Sequence, residues 1–132
     1  MGPAAGDDKT QIRQPSRSTK GIPARYQASV VILEGYAEGM EYPIDKTYAI
    51  IGRNRDAAVP VKDPLASREH AVIVFHESAF ILKDLDSTNG THMRVPSIPQ
   101  TKLRHGDKFR VAYTVLQFIL QNSGRVTTYE IA

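Results

Sequence analysis

From Ser67 to Thr91 the chain reads SREHAVIVFHESAFILKDLDSTNGT, and this stretch decides the fold. It holds two strand-length apolar runs, His70–Phe75 and Phe80–Asp84, rich in Val, Ile and Phe. The short link His76-Glu77-Ser78-Ala79 between them predicts an antiparallel hairpin. The segment entering the first strand, Ala66–Glu69, then lies at the same end of the sheet as the segment leaving the second, Leu85–Asn89. One rim therefore gathers Ser67, Arg68, Asp86, Ser87, Thr88 and Asn89. Loops at one end of a rigid sheet are where binding residues concentrate.

Working outward, the same texture repeats. Ser29–Leu33, Met40–Ile44, Tyr48–Ile51, Ala58–Val61, Thr91–Val95, Lys108–Ala112 and Val115–Leu120 are further strand-like runs. Turn residues separate them: Glu34-Gly35, Glu38-Gly39, Asp63-Pro64, Asn89-Gly90, Pro96, Pro99 and Gly106-Asp107. No stretch of a dozen residues carries helical periodicity, so the expected class is all-β, a sandwich or barrel. The length of 132 residues suits one domain with a core of its own, which needs no metal or disulfide. Residues 1–26 are polar, charged and rich in Gly and Pro, and are expected to form a disordered basic arm. Residues 27–122 form the β domain; residues 123–132 are a tail or, through Val126–Ile131, an extra strand.

With no cysteine, the chain has no disulfide, thiolate metal site or cysteine nucleophile, which fits a reducing, cytoplasmic setting. No apolar run approaches the ~20 residues of a membrane span, and the start lacks the basic-then-apolar pattern of a secretory signal. The net charge of +3 resides in the arm: residues 1–26 hold five bases and two acids, and the rest hold twelve of each. A neutral body with a loosely basic arm is a poor footprint for nucleic-acid binding.

Catalytic patterns do not cohere. Ser67 and His70 lie three apart, and in an extended segment such residues point to opposite faces, so the hydroxyl and imidazole do not pair. Asp84-Leu85-Asp86-Ser87-Thr88 matches the D-x-D-x-T pattern of haloacid-dehalogenase-like phosphotransferases, which require an α/β domain this chain does not offer. It also fails as a calcium loop, having Asn89 and Val95 where Gly and Glu are needed. His70, His76, His92 and His105 lack paired ligand spacing, so no metal is expected. No glycine-rich nucleotide loop is present, and no cofactor or small-molecule substrate is indicated. What remains is an anion site: guanidinium, hydroxyls, an amide and turn N–H groups from Gly52-Arg53, Ser67-Arg68 and Ser87-Thr88-Asn89-Gly90 are the donors a phosphate dianion takes.

Gly52-Arg53, Ser67-Arg68-Glu69-His70 and Asp84–Thr91, followed by Gly106-Asp107, resemble in order and spacing the forkhead-associated (FHA) domain over roughly residues 28–121. The resemblance implies a β-sandwich of about eleven strands that recognises phosphothreonine peptides without catalysis. It implies that Arg53 grips the phosphate, that Ser67 and Thr88 donate to it, and that Arg68 lies beside it. Asn89 would pair with the peptide backbone. Gly52, His70 and Gly90 would support the site. Two departures stand out: Arg94 replaces a usual Asn, and Ala112 replaces a frequent Gly.

The expected partner is a phosphothreonine-containing protein or peptide in a Ser/Thr protein kinase pathway, with no membrane. The rival readings are an FHA-like scaffold that ignores phosphate, and nucleic-acid binding through the arm. Thr10, in a polar stretch, is a candidate phosphorylation site; its alternative is an inert tail. About 18 residues separate it from the first strand, a flexible reach of roughly 23 Å, against a domain radius of gyration near 12 Å. Phosphorylated Thr10 is therefore expected to compete at the rim at about millimolar effective concentration. Titration of an external phosphopeptide into unmodified and Thr10-phosphorylated protein should show weaker binding to the latter; equal affinities would dismiss the arm as an internal ligand.

Overall fold

The computed structural model describes residues 21–93 and 99–122. Thr10, Arg94, Val95 and the candidate strand Val126–Ile131 lie outside them. The described residues form ten strands: β1 (Tyr26–Glu34), β2 (Glu41–Ile44), β3 (Tyr48–Gly52), β4 (Val59–Pro60), β5 (Ala71–His76), β6 (Ala79–Asp84), β7 (Thr91–His92), β8 (Gln100–Leu103), β9 (Lys108–Val111) and β10 (Thr114–Asn122). They form two five-stranded sheets, ordered β2-β1-β10-β9-β7 and β4-β3-β5-β6-β8. No described residue is helical, and among the described residues no helix is long and apolar enough to cross a membrane. The architecture is an all-β sandwich of two sheets.

Alternation builds the core. Val30 and Ile32 of β1 and Leu116 and Phe118 of β10 point inward from one sheet. Ala49 and Ile51 of β3, Ala71 and Ile73 of β5, and Phe80 and Leu82 of β6 meet them from the other. At one end Tyr26, Phe75, Phe80 and Phe118 form an aromatic cluster, with Phe75 and Phe80 centroids 4.9 Å apart and Tyr26 edge-on to Phe80 at 6.2 Å. This cluster corrects the boundary expected for the arm. Tyr26 opens β1, and Ile22, only 7% exposed, belongs to the core. Their polar surroundings hide both from composition, and burial against partners distant in sequence recruits them.

Two further strand expectations change. Of the run Thr91–Val95, the described residues supply Thr91–His92 as a strand, and β8 forms between Pro99 and Gly106-Asp107, where no strand was expected. Gln100-Thr101-Lys102-Leu103 is an edge strand with one large apolar residue, Leu103, turned into the core, so its sequence carries little apolar signal.

The hairpin is as expected: β5 and β6 pair antiparallel, from Ala71 opposite Asp84 to His76 opposite Ala79. Its turn holds Glu77 and Ser78 at φ 50° and 65°, the geometry of a two-residue turn that matches strand twist. The short run Ala58–Val61, which does not encode its own direction, supplies β4 and runs parallel to β3, while β3 pairs antiparallel with β5. The end of β3 therefore lies beside the start of β5. Gly52 sits so close to that segment that a Cβ there would fall 2.1 Å from the Arg68 carbonyl oxygen and 2.9 Å from the His70 nitrogen. Both are backbone atoms, which cannot yield as a side-chain tip can. Gly52→Ala is accordingly expected to lower unfolding stability by about 3 kcal/mol or more, read as a reduced urea midpoint; a variant matching wild type would mean that the two segments separate freely.

Candidate phosphopeptide site

Three loops meet at the rim. The backbone of the Arg53 loop is tied to the loop before β5: Arg53 N–H donates to Ser67 O at 2.9 Å and Asn54 N–H to Arg68 O at 3.1 Å. The Arg53 side chain is exposed, and its Nε–H donates to Ala66 O at 2.9 Å. That bond orients the guanidinium and leaves its terminal nitrogens without a partner among the described residues.

The loop before β5 is tied in turn to the loop after β6. Ser67 Oγ accepts the Thr88 N–H at 3.1 Å, which leaves the hydroxyl proton to be donated elsewhere. Asn89 Nδ2 donates to Leu65 O at 2.7 Å, leaving its amide oxygen and one N–H for a ligand backbone. Thr88, Asn89 and Arg68 are exposed on this rim. The structure thus brings Arg53, Ser67, Arg68, Thr88 and Asn89 together.

Beneath them lies His70, fully buried. Its Nδ1 accepts the Ser67 N–H at 3.1 Å, and its Nε2 lies 2.8 Å from Gly90 O. A carbonyl can only accept and an N–H can only donate, so the ring carries its proton on Nε2. The Ser67 contact to the imidazole is therefore made by the backbone N–H, and the hydroxyl faces Thr88 instead. His70 O also accepts from Leu85 N–H at 2.9 Å. Gly90 takes φ 80°, a conformation that suits glycine at this turn.

The loop after β6 is organised by Asp84. One carboxylate oxygen accepts the Ser87 and Thr91 hydroxyls at 2.6 and 2.7 Å; the other accepts the Ser87 N–H at 3.0 Å. Ser87 Oγ accepts the Gly90 N–H at 2.9 Å. Both oxygens of Asp84 are thus engaged in turn architecture, through Ser87 and Thr91 rather than through Asp86 and Thr88 of the D-x-D-x-T pattern. Asp86 takes φ 58° within the same turn.

A residue the sequence reading passed over completes the rim. Asp63 is 2% exposed. Its Oδ1 accepts the Leu65 N–H at 2.9 Å, while Oδ2 accepts the Tyr113 N–H at 2.8 Å and the Thr114 hydroxyl at 3.2 Å. It clamps the loop before β5 to the β9–β10 turn. The only local hint was Asp-Pro, which reads as an ordinary turn. Ala112, in that β9–β10 turn, has φ 56°, so the departure from Gly occupies a left-handed position. Among the described residues no group of three or more His, Cys, Asp or Glu is placed to hold a metal.

Residues 49–112 match the family model of the FHA domain. The chain carries an FHA domain. It is 34% identical over 86 residues to the transcriptional regulatory protein EmbR of Mycobacterium tuberculosis, covering 64% of this chain and 22% of that protein. This chain therefore spans about a fifth of the length of that relative. Among solved structures, it resembles the domain from a structural and functional analysis of phosphothreonine-dependent FHA domain interactions. That match has a TM-score of 0.64 and 28% identity, over 70% of this chain and 95% of the other. It also resembles Mycobacterium tuberculosis EmbR in complex with a low-affinity phosphopeptide, at TM-score 0.64 and 28% identity, over 72% and 24% of the two chains.

Asp84 makes this FHA domain's rim acid-sensitive. Burial alone would raise the carboxyl's pKa, but the hydrogen bonds from Ser87 Oγ, Thr91 Oγ1 and Ser87 N–H outweigh it and hold it below its ordinary value. A depressed folded value contributes stability above the unfolded pKa of about 3.9, and that contribution is lost as pH falls through the folded value. Asp84→Ala should cost about 2–3 kcal/mol at pH 7 by orphaning these donors. Urea titrations should show part of the gap from wild type closing below about pH 4; a gap independent of pH would show that the charge on Asp84 does not matter.

Proposed function

We propose that this FHA domain is a phosphothreonine-dependent interaction module, a non-catalytic adaptor within cytoplasmic Ser/Thr kinase signalling. One observation carries the proposal: the hydrogen bonds joining the three loops use the inward atoms of Arg53, Ser67 and Asn89 and leave outward donors over. Arg53 Nε is on Ala66, so its terminal nitrogens remain for the phosphate. Ser67 Oγ accepts from Thr88, so its own proton remains. Cationic and neutral donors gathered on one rim suit a dianion, and the buried His70 beside them has both ring nitrogens engaged, by Ser67 N–H and by Gly90 O, which suits it to bracing the loops rather than to proton transfer. Arg68 and Thr88 add donors at the edge, and Asn89 holds the ligand backbone beside the phosphothreonine. Gly52, His70 and Gly90 keep the loops in place.

The relatives support this assignment by what was solved with them, an EmbR phosphopeptide complex and phosphothreonine-dependent FHA domain interactions. Thr10 in the basic arm is proposed as a modification site that supplies the same chemistry in cis.

Calorimetry with a phosphothreonine peptide and its unphosphorylated twin tests the assignment. The twin should not bind measurably. Arg53→Ala removes one side of a charge pair worth about 2–5 kcal/mol and should abolish micromolar binding. Ser67→Ala should weaken it about tenfold. Affinity should fall between pH 7.5 and 5.5, because the second phosphate pKa is about 6. Arg53→Ala binding within twofold of wild type would refute the assignment, and equal binding of the two peptides would favour a phosphate-independent scaffold.

A further inference from the structure

Large apolar side chains are exposed unevenly. Among the described residues Tyr36, Met40, Tyr48, Leu65 and Tyr113 are the large hydrophobics left open, at 56, 49, 58, 47 and 70%. Tyr48 opens β3, at the end opposite Gly52. The other four fall on the rim loops or the hairpin that adjoins them, and a series of contacts joins Leu65, Tyr113 and the base of that hairpin to the phosphate site. Asn89 bonds Leu65 O; Leu65 N–H bonds Asp63, which also takes Tyr113 N–H and the Thr114 hydroxyl. Gly35, the residue before Tyr36, packs on Thr114, where a Cβ would lie 3.2 Å from Oγ1. A cleft of about 140 Å³ lined by Leu65, Asn89, Arg110, Ala112 and Tyr113 lies along this path.

Charge changes sign along the same path. The phosphate end presents Arg53 and Arg68. The far end is the β1–β2 hairpin, and from Tyr26 to Asp45 the chain has four acids (Glu34, Glu38, Glu41, Asp45) and no base. Glu41 accepts a hydrogen bond from Ser29; Glu34 and Glu38 are exposed with no partner among the described residues. Arg110 lies between, one Nη on Ala112 O at 3.1 Å.

We infer that the β1–β2 hairpin is a second docking element for the phosphothreonine ligand, one that selects a basic residue, with an uncharged or apolar residue crossing Leu65 and Tyr113. The inference rests on the phosphothreonine reading of the rim. The register fixes the spacing. Glu34, Val115, Arg110 and His92 face one another across four adjacent strands, and His92 Nε2 lies 3.1 Å from Asn89 O. Three strand spacings are about 14 Å, or four to five residues of extended peptide. Lys or Arg about four to six positions from the phosphothreonine meets Glu34 and Glu38, and Tyr36 and Met40 cover its aliphatic stem.

The probes are phosphothreonine peptides with Lys at those positions on either side, twins with Ala there, and unphosphorylated versions of each. They are titrated into the full chain and into Glu34→Lys/Glu38→Lys, whose substitutions lie on an exposed hairpin. For wild type, Lys on one side should bind about two- to tenfold tighter than Ala at low salt, the advantage vanishing at high salt. The double variant should reverse that preference and bind the Ala twin as wild type does. Equal affinity of Lys and Ala twins for wild type, or a Lys advantage that survives the charge reversal, overturns the inference while leaving phosphate-dependent binding intact. If phosphorylated and unphosphorylated Ala twins bind alike, the phosphothreonine reading itself fails; a Lys preference that persists there, and reverses in the variant, still supports the hairpin as a basic-segment site.

Discussion

Everything at the rim depends on a single buried imidazole having an acceptor on one side and a donor on the other. His70 receives the Ser67 N–H on Nδ1 and gives its Nε2 proton to Gly90 O, with no exposure to water. A hydrogen bond left unmade in that position would cost about 1–3 kcal/mol, because no solvent can replace the missing partner. The ring is therefore locked in one tautomer and one orientation, and it holds the loops before β5 and after β6 at a constant separation. Gly52 imposes the complementary constraint from β3, since only the absence of a Cβ lets that strand end lie against Arg68 and His70.

Given that frame, the binding groups are positioned chiefly by bonds between side chains and main chain. Such bonds order the loops without consuming the whole hydrogen-bonding capacity of the residues that make them. Arg53 spends Nε and Ser67 spends an oxygen lone pair; the guanidinium tip and the hydroxyl proton are left over. On the proposed function, a ligand phosphate would meet donors whose conformational entropy was surrendered on folding, which is how preorganisation raises affinity. Asp84 and Asp63 serve the same end from opposite sides. The first winds the Ser87–Thr91 turn, and the second joins the Leu65 loop to the β9–β10 turn. Each carboxylate accepts three internal hydrogen bonds, which commit its oxygens to the loops it organises.

The rim is also uneven in a way that matters to a peptide longer than its phosphorylated residue. Guanidinium groups lie on one side and the exposed carboxylates of Glu34 and Glu38 on the other, with exposed Leu65 and Tyr113 between. Selectivity by a difference in charge at a distance adds little to affinity in water, but it separates partners that all carry phosphothreonine.

How much of this was legible in the sequence follows the range of the interactions. The β5–β6 hairpin, the gathering of Ser67 with Thr88 and Asn89, and the all-β class came from local features: period-two apolar runs, a short link and turn residues act over a few positions. The roles proposed for the site residues came from the FHA resemblance rather than from any one motif. Tertiary structure alone decided the rest. A two-residue strand does not encode its own direction, so only the parallel pairing of β4 with β3 showed which way the chain runs after Arg53. Asp63 reads as a surface turn residue until Tyr113 and Thr114, fifty residues away, supply its donors. Ile22 and Tyr26 sit in polar sequence and are buried by partners far along the chain, and β8 is an edge with a single inward anchor, Leu103. Local chemistry can be read from neighbours in sequence; burial and strand direction are properties of contacts that exist only once the two sheets have closed on each other.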